Sequence, residues 1–222
     1  MSVAANIARI RERFGDAKAK LVAVSKYVGV EKVLEAFEVG VTEFGESRIQ
    51  DALQKKSAVP PHMAEHIHWH FIGHLQTNKV KKAVGNFSLI HSVDSLRLAE
   101  EISKEAVRQG IVQAILLQAK IVIDENKSGF SPEELKSSFA EIMNLPGIKI
   151  EGLMTMSPLT DEKSVWEECF SGLKSLRDEL EKSHSVKLPE LSMGMSDDWI
   201  EALKCGATMV RIGRAIFENS EN

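Results

Sequence analysis

The residue with the clearest capacity for chemistry is a lysine at the end of a strand-like run. Lys26 follows the apolar residues 21–25 and precedes a segment with helical periodicity. Burial at the mouth of a strand removes water from an ammonium group and lowers its pKa, and the free amine can then form a Schiff base with an aldehyde. Taken alone, a lysine in this position is more often a surface residue that happens to follow a strand.

Two glycine-containing turns near the C-terminus have the chemistry of an anion site. Residues 192–198 supply backbone amides, two serine hydroxyls and then a predicted helix start, a combination that favours an anion. Residues 210–217 place Gly213 two positions after Arg211, and a glycine lets the backbone approach a ligand closely. Considered singly, each glycine fits an ordinary turn or helix cap equally well.

Strand-like apolar runs and helical periodicity alternate along the chain. The eight predicted strands are residues 21–25, 41–44, 67–72, 88–91, 112–121, 148–154, 188–192 and 208–212. The helices predicted after the first seven strands are residues 30–39, 46–56, 75–84, 95–108, 132–143, 164–183 and 197–204. An amphipathic helix over residues 1–13 precedes them. Ser131 followed by Pro132 indicates an N-cap, and Gly110 indicates a left-handed helix end.

Strands separated by helices indicate a parallel sheet, because parallel neighbours need a helical crossover. Eight of them in 222 residues fit an α/β fold, a (β/α)8 TIM barrel with an extra N-terminal helix, as one domain over residues 1–222. A doubly wound open sheet is disfavoured, because no glycine-rich dinucleotide turn follows the first strand. Barrel ligands bind at the C-terminal ends of the strands, where Lys26 and both glycine turns lie on neighbouring strands.

An amine that captures aldehydes, a phosphate cradle and an arginine between them are the parts of a pyridoxal 5′-phosphate (PLP) site. The composition fits a small-molecule partner. The net charge of −4 without a basic block makes nucleic acid a poor partner, and no apolar run approaches membrane-spanning length. Two cysteines are too few for a disulfide framework. We expect a cytoplasmic monomer without a bound metal.

The chain also resembles the pyridoxal phosphate homeostasis protein family, single-domain relatives of the alanine racemase barrel. The matching segments occur in the family's order and span nearly the whole chain. They are residues 21–26, 44–46, 69–79, 92–95, 127–129, 152–155, 192–196 and 210–213. The chain departs from the family pattern at Ser47, where asparagine is usual, at Arg214, where threonine or serine is usual, and at Glu218, where glycine is usual.

The resemblance implies a role for each matching residue. The implied cofactor-binding residues are Lys26 for the Schiff base, Arg211 facing the pyridine nitrogen, Met154 near the ring, and Ser192, Met195, Ser196, Gly213 and Arg214 around the phosphate. A cation at the pyridine nitrogen disfavours its protonation and makes the ring a weaker electron sink. Met154 fits plain core at least as well. The guanidinium of Arg214 either replaces the lost hydroxyl as a charged donor or points to solvent.

The function that the resemblance implies is PLP binding in the intracellular homeostasis of vitamin B6 and amino acids, without established catalysis, with PLP-dependent apo-enzymes as recipients. A low-activity amino-acid racemase is the first alternative. Racemisation needs an acid or base on each face of the ring, and the only tyrosine, Tyr27, neighbours Lys26. We also expect no further domain after Gly213 to supply a second base.

A metal-dependent hydrolase is the second alternative. His66, His68 and His70 alternate along a predicted strand, which would place three imidazoles on one face. Such hydrolases want acidic ligands at other strand ends, and strand eight offers Arg211 instead. His70 and His74 fit better as hydrogen-bonding residues of the barrel or its rim.

Overall fold

The strands form a closed parallel barrel in the computed structural model, which describes residues 2–122 and 128–218. Neighbouring strands follow the chain order, and the last strand pairs with the first. They are β1 (Lys20–Val24), β2 (Glu43–Glu46), β3 (His68–Phe71), β4 (Leu89–Val93), β5 (Gln113–Gln118), β6 (Ile148–Met154), β7 (Glu190–Ser192) and β8 (Met209–Ile212). The predicted (β/α)8 barrel is confirmed. Met1 of the predicted first helix and Lys127 of a family segment lie outside the described residues.

Helices connect consecutive strands and bury their apolar faces against the outer surface of the barrel. They are α1 (Val3–Phe14), α2 (Val30–Glu38), α3 (Ile49–Ala58), α4 (Pro61–Ala64), α5 (Val80–Ala83), α6 (Leu96–Gln109), α7 (Pro132–Met143), α8 (Lys163–His184), α9 (Trp199–Lys204) and α10 (Arg214–Phe217). The predicted N-terminal helix is α1, which contacts α2, α9 and α10. Across residues 2–122 and 128–218, no helix has the length and apolar character needed to cross a membrane.

The predicted helix ends are confirmed where the signals were strongest. Ser131 caps α7 in a capping box with Glu134, and Pro132 occupies the first turn. Gly110 ends α6 with φ +69°, a left-handed conformation that costs glycine little. Local chemistry therefore fixes these boundaries without help from the rest of the chain.

Several predicted elements differ from the structure, and two short helices were not predicted. The helix predicted at 75–84 is a 3-10 turn (Thr77–Lys79) followed by the single-turn α5, and neither has a side-chain N-cap. The second strand lies two residues later than predicted, because Glu46 is fully buried in it, and hydropathy does not signal a buried carboxylate. The four-residue helices α4 and α10 are too short to give a periodic pattern.

Inside the barrel, an apolar layer separates the two ends. Its buried members are Val22, Leu89, Leu116, Met154 and Met209. Side chains alternate between the two faces of a strand, so His91, two residues after Leu89, and Arg211, two residues after Met209, also face inward. These polar residues lie nearer the C-terminal mouth than the apolar layer does.

Candidate functional site

Lys26 lies just beyond the C-terminal end of β1, at the mouth of the barrel. Its side chain is exposed, and its Nζ lies 4.8 Å from the centroid of the Tyr27 ring. The expectation that Lys26 is desolvated is therefore wrong for the protein without cofactor. The amine stays in contact with water, because the two residues after the strand carry it above the barrel rim rather than into it.

A buried ion pair holds the backbone immediately before Lys26. Glu46, at the end of β2, is fully buried, and its Oε1 accepts hydrogen bonds from Ser25 Oγ and from Lys55 Nζ, each 2.6 Å long. Lys55 Nζ also donates to the carbonyl oxygen of Ser25 at 2.6 Å. Two of these hydrogen bonds involve Ser25 and the third joins Lys55 to Glu46, so the end of β1 is held to β2 and α3 immediately before Lys26.

The turn after β8 lies against the end of β1. A Cβ atom at Gly213 would lie 3.0 Å from the carbonyl oxygen of Val24 and 3.3 Å from its Cβ. This close packing on β1, rather than approach to a ligand, is the reason for glycine that the structure itself provides. Within the described residues, the amides of Gly213 and Arg214 donate to no carbonyl or side chain. Two free N–H groups therefore lie beside the strand that leads to Lys26.

The turn after β7 is shaped by Asp198. This buried carboxylate accepts a hydrogen bond from the Met195 amide at 2.5 Å and a short one from Ser157 Oγ. Gly194 has φ +91°, and a Cβ there would lie 2.6 Å from the Cβ of Ala202. Met195 therefore contributes no free amide to the turn. The amide of the next residue, Ser196, has no acceptor in the described part of the chain, and Ser196 itself is half-buried.

Arg214 and Asp197 connect the two turns on their outer side. Arg214 Nη2 donates to Asp197 Oδ2 at 2.6 Å, and both side chains are more than half exposed. Of the two orientations that the sequence leaves open for Arg214, the structure has the solvent-facing one, with an acidic partner. Ion pairs this exposed are screened by water and contribute about 0–1 kcal/mol.

Ser192 and Arg211 meet inside the barrel. Arg211 Nη1 donates to Ser192 Oγ at 2.7 Å, and Nη2 donates to the Thr155 carbonyl at 3.0 Å. Burial lowers the pKa of Arg211 to about 10, partly opposed by the charge of Asp198, so the guanidinium is charged at neutral pH. The Ser192 hydroxyl also contacts His91 Nδ1 at 2.8 Å. The Ser192 hydroxyl is therefore already paired with two side chains inside the barrel.

Met154 belongs to the apolar layer described above, where it is almost completely buried beside Met209 and Leu116. It lies at the C-terminal end of β6. The side chain therefore provides part of the apolar floor beneath the mouth, which is compatible with either sequence interpretation.

The three histidines of the proposed metal cluster are not brought together. His66 is exposed and lies 3.6 Å from Glu65, whereas His70 is buried and bonds Glu43 and His91. Among the residues that the structure describes, no three His, Cys, Asp or Glu side chains converge as metal ligands would. His70 is a barrel hydrogen-bonding residue, as predicted, and His74 contacts Asp94 at the rim at 3.3 Å.

Several residues at the site escape prediction from the sequence. They are Glu43, Glu46, Lys55, His91 and Asp198. All are polar side chains with at least one hydrogen-bond partner that is distant in the sequence. The one local signal is alternation: His91 is a polar residue on the inward phase of an otherwise apolar strand, and such a residue needs a partner inside the barrel.

Comparison with known proteins matches nearly the entire chain to one family. The family model described as alanine racemase, N-terminal domain, matches residues 1–221. The pyridoxal phosphate homeostasis protein of Aquifex aeolicus is 41% identical over 98% of this chain and 98% of its own. The protein of the same name from Synechocystis sp. is 43% identical, over 89% of this chain and 90% of its own.

Solved structures agree with the sequence relatives. PipY of Synechococcus elongatus PCC7942, with PLP bound, has a TM-score of 0.89 and 34% identity, over 97% of this chain and 100% of its own. The same protein without PLP gives a TM-score of 0.91 at 35% identity, with the same coverage. The barrel of this chain is thus similar to that of a relative whose structure is known with and without PLP.

The ion pair before Lys26 generates a stability prediction. Replacing Lys55 in Lys55→Met leaves the buried Glu46 carboxylate with one hydroxyl donor, and breaking a buried pair in this way costs about 3–5 kcal/mol. The measurement is the free energy of unfolding from urea denaturation. Lys32→Met is the control, because Lys32 pairs with Glu35 while both are exposed, and it should cost less than about 1 kcal/mol. Equal losses in both variants would contradict the role given to Lys55.

Proposed function

Because the chain belongs to the pyridoxal phosphate homeostasis protein family, we propose that it binds PLP at the C-terminal mouth of the barrel, as a Schiff base on Lys26. One observation carries the proposal. An exposed lysine follows β1, and the neighbouring strand β8 carries a buried guanidinium and leads into a turn whose Gly213 and Arg214 amides donate to no acceptor among the described residues.

The donor set fits the chemistry of PLP. A phosphate accepts hydrogen bonds only, and the free amides of Ser196, Gly213 and Arg214 are donors with no other acceptor in the described residues. In this proposal Ser192 and Met195 support the site instead of touching the phosphate, because their polar groups already bond Arg211 and Asp198. Met154 would form part of the floor under the ring.

Bound PLP would supply an aldehyde for amines and a ring that withdraws electrons. Arg211 would affect the electron-withdrawing strength of the ring. Its guanidinium is charged and fixed, and a cation facing the pyridine nitrogen keeps that nitrogen unprotonated. Arg211 therefore weakens the ring as an electron sink, which favours holding the cofactor over transforming amino acids bound to it.

We further propose that the protein takes part in intracellular PLP and amino-acid homeostasis, without catalysis, and passes PLP to apo-enzymes. The exposure of Lys26 supports this. A Schiff base at an exposed amine is open to water and to competing amines, so attachment is reversible. The name shared by the relatives, homeostasis protein, agrees with a handling role.

Lys26 is the residue whose loss should abolish covalent attachment. We expect Lys26→Ala to remove the visible absorbance that wild-type protein gains with PLP, and borohydride reduction followed by peptide mapping should place the wild-type adduct on Lys26. The fold should persist, because the side chain is exposed. Lys32→Ala is the control for nonspecific modification of exposed lysines. An undiminished adduct in Lys26→Ala would assign the attachment to another amine.

Arg214 tests how far the family pattern extends. Arg214→Thr restores the usual residue, and we expect the affinity for PLP to change by less than about fivefold, because the guanidinium is exposed and already paired with Asp197. The measurement is an absorbance titration with PLP. Asp197→Asn is the matched variant, since it releases the guanidinium without removing it. A loss above about tenfold in Arg214→Thr would mean that the side chain turns into the site when PLP binds.

Transfer and racemisation separate the proposed function from its first alternative. We expect PLP-loaded protein to restore activity to an apo-form of a PLP-dependent enzyme, and to produce no D-alanine from L-alanine above the rate of free PLP. Enzyme activity in the mixture and chiral chromatography of alanine are the measurements. Turnover of alanine that Lys26→Ala abolishes would favour the racemase.

A further inference from the structure

Five side chains form an unbroken hydrogen-bonded chain across the barrel interior. From Arg211 it passes to Ser192 and then to His91, through contacts of 2.7 and 2.8 Å. From His91 Nε2 it reaches His70 Nδ1 at 2.7 Å, and His70 Nε2 reaches Glu43 Oε2 at 2.6 Å. All are buried except Glu43, which is half-buried. This chain connects the candidate PLP site to a carboxylate on β2.

With both histidine rings neutral, the chemistry of the two ends fixes the direction of every hydrogen bond. A guanidinium only donates and a carboxylate only accepts. Ser192 accepts from Arg211, so its own proton goes to His91 Nδ1. His91 must then carry its proton on Nε2 and donate it to His70 Nδ1. By the same step His70 is protonated on Nε2 and donates to Glu43.

The surroundings support this arrangement of protons. Complete burial and the charge of Arg211 lower the pKa of His91 well below its usual value, so the ring is neutral. Burial alone would raise the pKa of Glu43, but the hydrogen bond from His70 and the charge of Lys20 help to lower that pKa, so the carboxylate is an acceptor. The opposite direction would need either a protonated Glu43 or a doubly protonated His70, and it would leave the Ser192 hydrogen without an acceptor in the hydrogen-bonded chain.

We propose that Ser192, His91 and His70 are positioning residues that hold the Arg211 guanidinium in one orientation and tie it to Glu43. Ser192 satisfies one nitrogen of the guanidinium, and Thr155 satisfies the other from β6's side of the mouth. Arg211 is thereby fixed from two directions. The hydrogen-bonded chain consists entirely of barrel residues. It rests on the proposed function only in naming PLP as the group that Arg211 contacts.

The first test concerns the protein without added PLP. Nitrogen NMR of histidine-labelled protein at neutral pH should show His70 and His91 as neutral rings protonated on Nε2. The two rings are assigned by the signals that disappear in His70→Gln and in His91→Gln. A doubly protonated ring, or an Nδ1–H tautomer at either position, would overturn the proposed direction of the chain.

The second test uses two substitutions of His91 with opposite chemistry. Glutamine keeps one acceptor and one donor, whereas leucine keeps the apolar volume and neither polar group. We expect His91→Leu to weaken PLP binding at least about tenfold, on the scale of one charge-assisted hydrogen bond, and His91→Gln to stay within about threefold of wild type. His62→Gln, on the exposed surface of α4, is the control.

The outcomes distinguish positioning from packing. Binding that survives in His91→Leu but not in His91→Gln, or is lost equally in both, would show that the site needs the shape of His91 and not its hydrogen bonds. If wild-type protein binds no PLP, the proposed function fails. The tautomers of His70 and His91 then decide alone whether the hydrogen-bonded chain runs in the proposed direction.

Discussion

The pairing of β8 with β1 is the contact on which the rest of the site depends. The ladder runs from Lys20 opposite Met209 to Ala23 opposite Ile212, and Gly213 continues it by packing on Val24. In an open sheet with the same strand order, the first and last strands would lie at opposite edges. Closure instead makes β1 and β8 neighbours, so the backbone that leads to Lys26 lies beside the turn that carries the amides of Gly213 and Arg214.

Closure also encloses a positive charge. Arg211 is nearly completely buried, and an uncompensated cation there would be very costly. The hydrogen-bonded chain distributes that cost over Ser192, His91 and His70 before it ends on Glu43. A well-packed apolar interior of the same volume is often as stable or more stable than buried charges. The polar half of the barrel is therefore better explained by what Arg211 does than by stability, and the apolar layer beneath it supplies the packing.

The fold was predictable because its signals are periodic and local, as at the Ser131 cap and the Gly110 helix end. The candidate site was predictable only in part. Motifs and resemblance select Lys26 and Arg211, but they do not show which polar groups already form hydrogen bonds within the protein. Glu46 illustrates the limit, since its burial depends on Lys55 from a helix and Ser25 from another strand. The exposure of Lys26 was missed for the same reason, because burial belongs to the assembled barrel and not to a segment.

Lys26 and Arg211, the two charged residues of the candidate site, differ in how firmly the structure holds them, and this difference limits which substitutions the site could accept. Lys26 is exposed, whereas Arg211 is held on two sides. Enzymes that need a strong electron sink place a carboxylate by the pyridine nitrogen. A carboxylate at position 211 would give the interior chain an acceptor at both ends. An additional proton would then have to be held inside the barrel, either on a histidine ring, against the burial that keeps His91 neutral, or on one of the two carboxylates. A stronger sink therefore requires the interior of the barrel to change together with the arginine, and a single substitution at the mouth is not enough.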